Sequence, residues 1–146
     1  MILSQDRWAQ TFERLAARLS TLTGYDTLVL REVVDTPPDQ RRSLFRRARP
    51  APFRYVQFRL ASGLITGECV GASSWGGSYD IDEQTDRRLR ELGWAAPDER
   101  PQALRDSPNY RVDVPPAESP RLARMAVDAL DVLGVAPDAE LAWDEP

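Results

Sequence analysis

The segment 53–71 constrains the fold most, because it combines two strand-like runs with a two-residue turn. Phe53–Ala61 and Leu64–Gly71 are rich in apolar residues, and Ser62-Gly63 separates them. A glycine at this place can adopt the positive φ that a tight hairpin turn requires. The segment therefore predicts an antiparallel β-hairpin.

The first strand of this hairpin carries large apolar groups on both faces. Val56, Phe58 and Leu60 point one way, and Phe53, Tyr55, Gln57 and Arg59 point the other. A strand with one solvated face alternates more cleanly between apolar and polar residues. We therefore expect both faces of this strand to be covered by other parts of the protein or by a partner. Helices cover one side, and a loop of the same chain, a second protomer or a client peptide covers the other.

Three helices are predicted from apolar residues that recur every three or four positions. The stripe of the first helix is Trp8, Phe12, Leu15, Leu19 and Leu22. Ile81–Leu92 forms the second helix, which ends at Gly93. The last helix opens with Ser119 as cap and Pro120 at the first helical position, and it stops at Gly134.

Two further strands complete the predicted sheet, Thr27–Val34 and the short Asn109–Val114. The order helix, strand, proline-rich segment, hairpin, helix, strand, helix predicts an α+β fold, with an antiparallel sheet and flanking helices. We expect one domain over residues 1–137. Residues 138–146 form an acidic C-terminal tail that we expect to be loosely held, with Leu141 and Trp143 as its candidates for docking.

The side chains that most enzymes use are missing. The chain has no His and one Cys, Cys69, and all 19 of its basic residues are Arg. The commonest general base, the Schiff-base amine and the usual metal imidazole are therefore absent. A single Cys makes neither a zinc site nor an internal disulfide. We expect no catalytic residue, no metal and no cofactor.

The net charge of −4 gives the chain no general attraction to phosphate backbones or anionic membranes. Met1–Asp6 lacks the basic and apolar regions of a signal peptide, and no stretch approaches the ~20 apolar residues of a membrane-spanning helix. We expect a cytoplasmic protein without a membrane partner.

An arginine-rich segment, 41–49, is the sharpest local charge feature. It carries five Arg in nine residues, with an aromatic ring among them. Its candidate partner contacts are Arg41, Arg42, Phe45, Arg46 and Arg47. Such a segment could contact nucleic acid or an acidic protein, or it could be a solvated loop paired with carboxylates of its own chain. The acidic net charge argues against nucleic acid.

A glycine-rich loop follows the hairpin. Its two aromatic residues, Trp75 and Tyr79, are further candidate partner contacts, and its glycines lack the Lys and Ser/Thr of a phosphate-binding loop. The acidic cluster Asp80, Asp82 and Glu83 lacks the alternating ligands of a calcium loop. We expect it to cap the second helix and complement that helix's dipole.

Several stretches resemble one family in the same order along nearly the whole chain. They are Trp8-x3-Phe12-x2-Leu15-x3-Leu19, Asp26–Leu30, Tyr55–Phe58, Gly67–Gly71, Leu89-x2-Leu92-Gly93-Trp94-x2-Pro97, Pro108–Tyr110 and Leu130-x-Val132–Val135. In these the chain resembles the YbjN-like and type III secretion chaperone-like domains (TY-Chap), which are common in actinobacterial proteins. The arginine-rich segment and the glycine-rich loop depart from the pattern.

The resemblance implies an α+β domain that holds a client segment in extended form, commonly as an acidic cytoplasmic homodimer. It supplies no catalytic residues. The leading hypothesis is a peptide- or protein-binding chaperone that uses Phe53, Tyr55 and Gln57. The alternative is a regulatory module that binds one folded partner. If the chain is dimeric, the sheet face bearing Phe53 and Tyr55 or the last helix is the expected contact.

Overall fold

The computed structural model describes residues 2–24, 26–33, 53–71, 80–99 and 109–145, with side chains from residue 8 onward. The helices are α1 (Ile2–Ser20), α2 (Glu83–Glu91) and α3 (Ser119–Val132). The strands are β1 (Thr27–Glu32), β2 (Tyr55–Ala61), β3 (Leu64–Cys69), β4 (Tyr110–Val114) and β5 (Leu141–Asp144). Single 3-10 turns occupy Pro97–Glu99 and Pro116–Glu118. The predicted α+β class is confirmed.

The five strands form one antiparallel sheet in the order β4-β3-β2-β1-β5. The predicted hairpin is its centre, with Ala61 paired to Leu64 across the turn. Ser62 and Gly63 have φ of 55° and 78°, the positive values of the turn that best matches the twist of two strands. The hairpin prediction is confirmed.

The core lies between one face of the sheet and the helices. On that face, alternate residues of the central strands point into the core, and Leu28, Val56 and Phe58 are among those that are fully buried. Gly67 lies directly under α3. A Cβ built there would come 2.9 Å from Cδ1 of Leu122, so a larger residue would force the Leu122 side chain to move.

The helices use the predicted apolar stripes. Trp8, Leu15 and Leu19 of α1 are buried, and Phe12 and Leu22 pack partly against the same core. Arg124 of α3 lies over the Phe12 ring, with its guanidinium carbon 4.4 Å from the ring centroid.

The helix ends show one confirmed prediction and one error. Asp82 caps α2 by accepting the backbone N–H of Thr85 at 2.7 Å, as the acidic cluster predicts. The prediction that Ser119 caps α3 is wrong, because Glu118 occupies the N-cap position, where its side chain makes no capping hydrogen bond. The preceding 3-10 turn runs straight into α3, so that Ser119 already has a helical φ of −55°.

The prediction that residues 138–146 are loosely held is also wrong. Within it, β5 pairs with β1 at the edge of the sheet. Two arginines also hold β5. Arg31 Nε lies 2.9 Å from Asp144 Oδ2 in an ion pair, and the guanidinium carbon of Arg14 lies 4.1 Å from the Trp143 ring centroid in a cation–π contact. Leu141 and Trp143 also pack partly against the core. Among the described residues, no helix is both long enough and apolar enough to span a membrane.

Candidate peptide-binding surface

One face of the sheet carries no helix from the described ranges, and we call it the open face. It consists of the strand residues that alternate with the buried ones. From β4 to β1 these include Arg111, Asp113, Thr66, Glu68, Tyr55, Gln57, Arg59, Thr27, Val29 and Arg31. The open face is therefore polar towards β3 and β4, with larger apolar groups at one end of β2 and β1.

We call Val33, Phe53 and Tyr55 at that end the apolar patch. Extending the register of β1 and β2 by one pair of residues on the same face places Val33 opposite Phe53. Phe53 is 37 % exposed and Val33 is 39 % exposed, which makes them two of the three exposed large hydrophobic residues in the described ranges. The rings of Phe53 and Tyr55 lie 5.7 Å apart between centroids, tilted by 53°. This is an ordinary distance for a favourable aromatic pair.

A cation lies beside this aromatic pair. The guanidinium carbon of Arg31 is 5.7 Å from the ring centroid of Phe53, within the range of a cation–π contact. Arg31 also donates a hydrogen bond to Asp144 of β5 at 2.9 Å. The ring of Phe53 is thus bounded by Tyr55 and Arg31, while the residue as a whole stays exposed.

Hydrogen bonds fix the other side of Tyr55. Asn109 Nδ2 donates to Tyr55 Oη at 3.1 Å, and Asn109 Oδ1 accepts the buried backbone N–H of Gly71 at 3.0 Å. Asn109 Nδ2 and Gln57 Nε2 both lie 3.4 Å from oxygens of Glu68. This network holds Tyr55 and Gln57 in place on the open face before any partner binds.

The chemistry of the open face is that of binding groups. Burial, reinforced by the charge of Glu68, raises the pKa of Tyr55, and the hydrogen bond to Asn109 only partly opposes this. The phenol is therefore neutral at physiological pH. Beside it, a cavity of about 240 Å³ is lined by Thr27, Gln57, Phe58, Arg59, Thr66 and Glu68. The apolar patch and the neighbouring polar cavity together suit a polypeptide segment that has one apolar side chain to anchor it.

Cys69 does not contribute to this surface. It is fully buried on the helical face, and burial raises the pKa of its thiol far above the usual range. A thiol that stays protonated is a poor nucleophile. The described ranges also contain no group of three or more Cys, Asp or Glu side chains placed to hold a metal ion.

The structure brings three of the predicted contact residues together, namely Phe53, Tyr55 and Gln57 on the open face. The others lie outside the described residues, and they are Arg41, Arg42, Phe45, Arg46, Arg47, Trp75 and Tyr79. Their role in binding stays a prediction. Sequence reasoning missed Val33 and Asn109. The end of the β1 pattern could have indicated Val33, whereas nothing local predicts that Asn109 reaches Tyr55.

A five-stranded antiparallel sheet with the described helices on one face agrees with the secretion-chaperone-like class that the sequence resembles. Residues 4–146 match the family described as T3SS (YopN, CesT) and YbjN peptide-binding chaperone 3, or TY-Chap3. The chain therefore belongs to this family, and the resemblance is confirmed. No curated protein and no solved structure matches the chain.

Proposed function

We propose that this protein is a non-enzymatic, cytoplasmic chaperone that holds an extended segment of a client protein against the apolar patch. The observation that carries the proposal is Phe53. The residue is 37 % exposed, and its ring contacts Tyr55 and Arg31 on a face without a described helix. Family membership supports the same conclusion, since the family is described as peptide-binding chaperones.

An extended segment suits the layout of the open face. Pre-positioned aromatic rings serve as anchors at protein interfaces, because they bury a large area with little loss of conformational freedom. The client offers an apolar side chain to Phe53 and Val33. Its neighbouring backbone then lies over the polar cavity, where Gln57 and Thr27 provide hydrogen-bonding groups.

Site-specific photo-cross-linking in the native host tests the proposal. A benzophenone amino acid replaces Phe53 in one variant and Leu64 in a matched control. Leu64 is 39 % exposed, and it lies beside the hairpin turn at the opposite end of β2 and β3. We expect the probe at position 53 to cross-link one or a few short client segments, which mass spectrometry maps, and the probe at position 64 to give none of them.

The mapped segment then separates the two candidate functions. A chaperone binds the segment as a synthetic peptide, and Phe53→Ser weakens that binding. A regulatory module binds only the folded partner, so the isolated peptide does not bind. Identical cross-links from positions 53 and 64 would contradict a specific contact at the apolar patch.

We also propose that the chain forms a homodimer, with the apolar patch or α3 as the contact. The protomer mass is 16.5 kDa, so light scattering distinguishes a dimer from a monomer directly. If the patch is the contact, Phe53→Ser gives a monomer whereas Leu64→Ser leaves the dimer intact. A wild-type monomer at micromolar concentration would contradict the dimer.

A further inference from the structure

Two oppositely charged residues, Glu32 and Arg54, lie directly behind the apolar patch. Glu32 precedes Val33 in the chain, and Arg54 lies between Phe53 and Tyr55. Successive side chains of a strand point to opposite faces, so Glu32 and Arg54 point away from the open face and towards the helices. One charged pair therefore lies behind all three residues of the patch.

The patch extends beyond the regular strands. β1 ends at Glu32 and β2 begins at Tyr55, so Val33 and Phe53 lie just outside them. The ends of hydrogen-bonded elements open more readily than their centres. The position of the Phe53 backbone is therefore set largely by the bonds that its neighbour Arg54 makes.

One carboxylate oxygen of Glu32 contacts both the backbone and the side chain of Arg54. Glu32 Oε2 accepts the backbone N–H of Arg54 at 2.7 Å and lies 3.0 Å from its Nε. In the reverse direction, the backbone N–H of Glu32 donates to the carbonyl oxygen of Arg54 at 3.0 Å. Hydrogen bonds that involve a charged group are stronger than neutral ones. These bonds close the end of the β1–β2 ladder next to the patch.

The guanidinium of Arg54 also reaches the C-terminal end of α3. Its Nη1 donates to the backbone oxygen of Leu133, the C-cap residue of α3, at 3.1 Å. It passes close to Gly134, where a built Cβ would lie 2.9 Å from Nη1. The last turn of α3 contains no basic residue, although the helix dipole favours a cation there. Arg54 supplies that cation from the sheet, and it thereby ties the patch to a helix that the core holds.

The pair is largely shielded from water, since 23 % of the Arg54 side chain and 17 % of the Glu32 side chain are exposed. Burial of charges costs free energy, and a well-packed apolar pair often stabilises a fold at least as well. A charged pair differs in that its hydrogen bonds are directional and select one geometry. The feature that this pair can fix is the arrangement of the two chain ends beside it.

We propose that Glu32 and Arg54 are positioning residues of the apolar patch. They join the ends of β1 and β2 to the end of α3, and they hold Phe53 opposite Val33 before a client binds. A partner that binds only the arranged patch loses affinity in proportion to the time for which the patch is disarranged. The effect on the client rests on the proposed function, whereas the effect on the Phe53 ring is measured on the protein alone.

Nuclear Overhauser cross-peaks between the rings of Phe53 and Tyr55 test this inference without a partner. The two ring centroids lie 5.7 Å apart, so we expect cross-peaks in the wild type. Arg54→Met removes the charge but keeps a long side chain, and these cross-peaks should be lost. Glu32→Gln removes the opposite charge with little change of shape, and it should weaken them.

Arg90→Met is the matched control. Arg90 Nε lies 3.0 Å from Asp86 Oδ2 within α2, and 27 % and 29 % of the two side chains are exposed. The geometry and burial of this ion pair thus resemble those of the Glu32–Arg54 pair, but none of the partners that the structure describes for Arg90 belongs to the patch. Arg90→Met should lower the thermal midpoint and keep the cross-peaks between Phe53 and Tyr55.

The client segment that is mapped from position 53 provides the second measurement. As a synthetic peptide, it should bind Arg54→Met about tenfold more weakly than wild type, which corresponds to an arranged patch for about a tenth of the time. Arg90→Met should bind the peptide like wild type. A purely structural role of Arg54 would instead give both variants the same affinity at matched thermal midpoints.

The inference is overturned if the cross-peaks persist undiminished in a folded Arg54→Met or Glu32→Gln protein, or if a folded Arg90→Met protein loses them equally. Wild-type affinity of Arg54→Met for the peptide would also overturn it. If Arg54→Met does not fold, Glu32→Gln decides both measurements. Failure of the proposed function has a different signature, because no segment then cross-links from position 53 while the cross-peaks still respond to Arg54→Met.

Discussion

Replacing Asn109 by alanine should destabilise the domain by about 2 kcal/mol, because Asn109 is the only described acceptor for a buried backbone group. The N–H of Gly71 donates to Asn109 Oδ1 at 3.0 Å in a buried position, and Asn109 itself is 8 % exposed. An unsatisfied buried donor costs about 1–3 kcal/mol. The bonds from Asn109 to Tyr55 and Glu68 are only partly buried, so water replaces most of what they contribute.

Urea denaturation followed by circular dichroism measures this loss. With a slope of about 2 kcal/mol per molar urea, the midpoint should fall by about 1 M at an unchanged slope. Tyr55→Phe is the matched control, because it removes the partner hydroxyl and leaves Asn109 with Gly71. We expect Tyr55→Phe to destabilise the protein by only about 0.5–1.5 kcal/mol.

The reasoning fails if Asn109→Ala lowers the midpoint no more than Tyr55→Phe does. Such a result would mean that the N–H of Gly71 finds another acceptor. Asn109 would then not be the residue that connects the hairpin end to β4.

Three further predictions concern the core. Tyr110→Phe should cost about 1.5–3 kcal/mol in the same urea assay, because the Tyr110 hydroxyl donates at 2.6 Å to the carboxylate of Asp86. Gly67→Val should cost about 1–3 kcal/mol, since even a Cβ would lie 2.9 Å from Cδ1 of Leu122, and an unchanged midpoint would show that the Leu122 side chain moves aside without cost. Burial raises the pKa of Cys69, so Ellman's reagent at pH 8 should react with its thiol only after unfolding. Because the unfolded thiol ionises first, stability should fall as the pH rises above about 8.5, and Cys69→Ala should remove that part of the fall.

Most of the fold is predictable from local patterns, because those patterns report burial. The hairpin follows from two apolar runs around Ser62-Gly63, and the α1 stripe follows from a spacing of three and four residues. The error at β5 has a different cause. Acidic residues and a chain end predict a loose segment, but β5 is fixed by pairing with β1 and by Arg14 and Arg31, which are distant in sequence.

The candidate site was predictable only in part. Alternation along β2 shows that Phe53, Tyr55 and Gln57 share a face, and this holds in the structure. That Val33 faces Phe53 depends on the register of β1 against β2, which the sequence does not contain. The contact of Asn109 with Tyr55 likewise depends on the position of β4, two strands away in the sheet.

The central claim is that the apolar patch holds an extended client segment. The most direct measurement is the affinity of the cross-linked segment, as a synthetic peptide, for wild type, Phe53→Ser and Leu64→Ser. We predict that Phe53→Ser weakens binding by about tenfold or more, as the loss of a buried aromatic anchor implies, and that Leu64→Ser binds like wild type. Equal affinity of all three proteins for the peptide would contradict the claim.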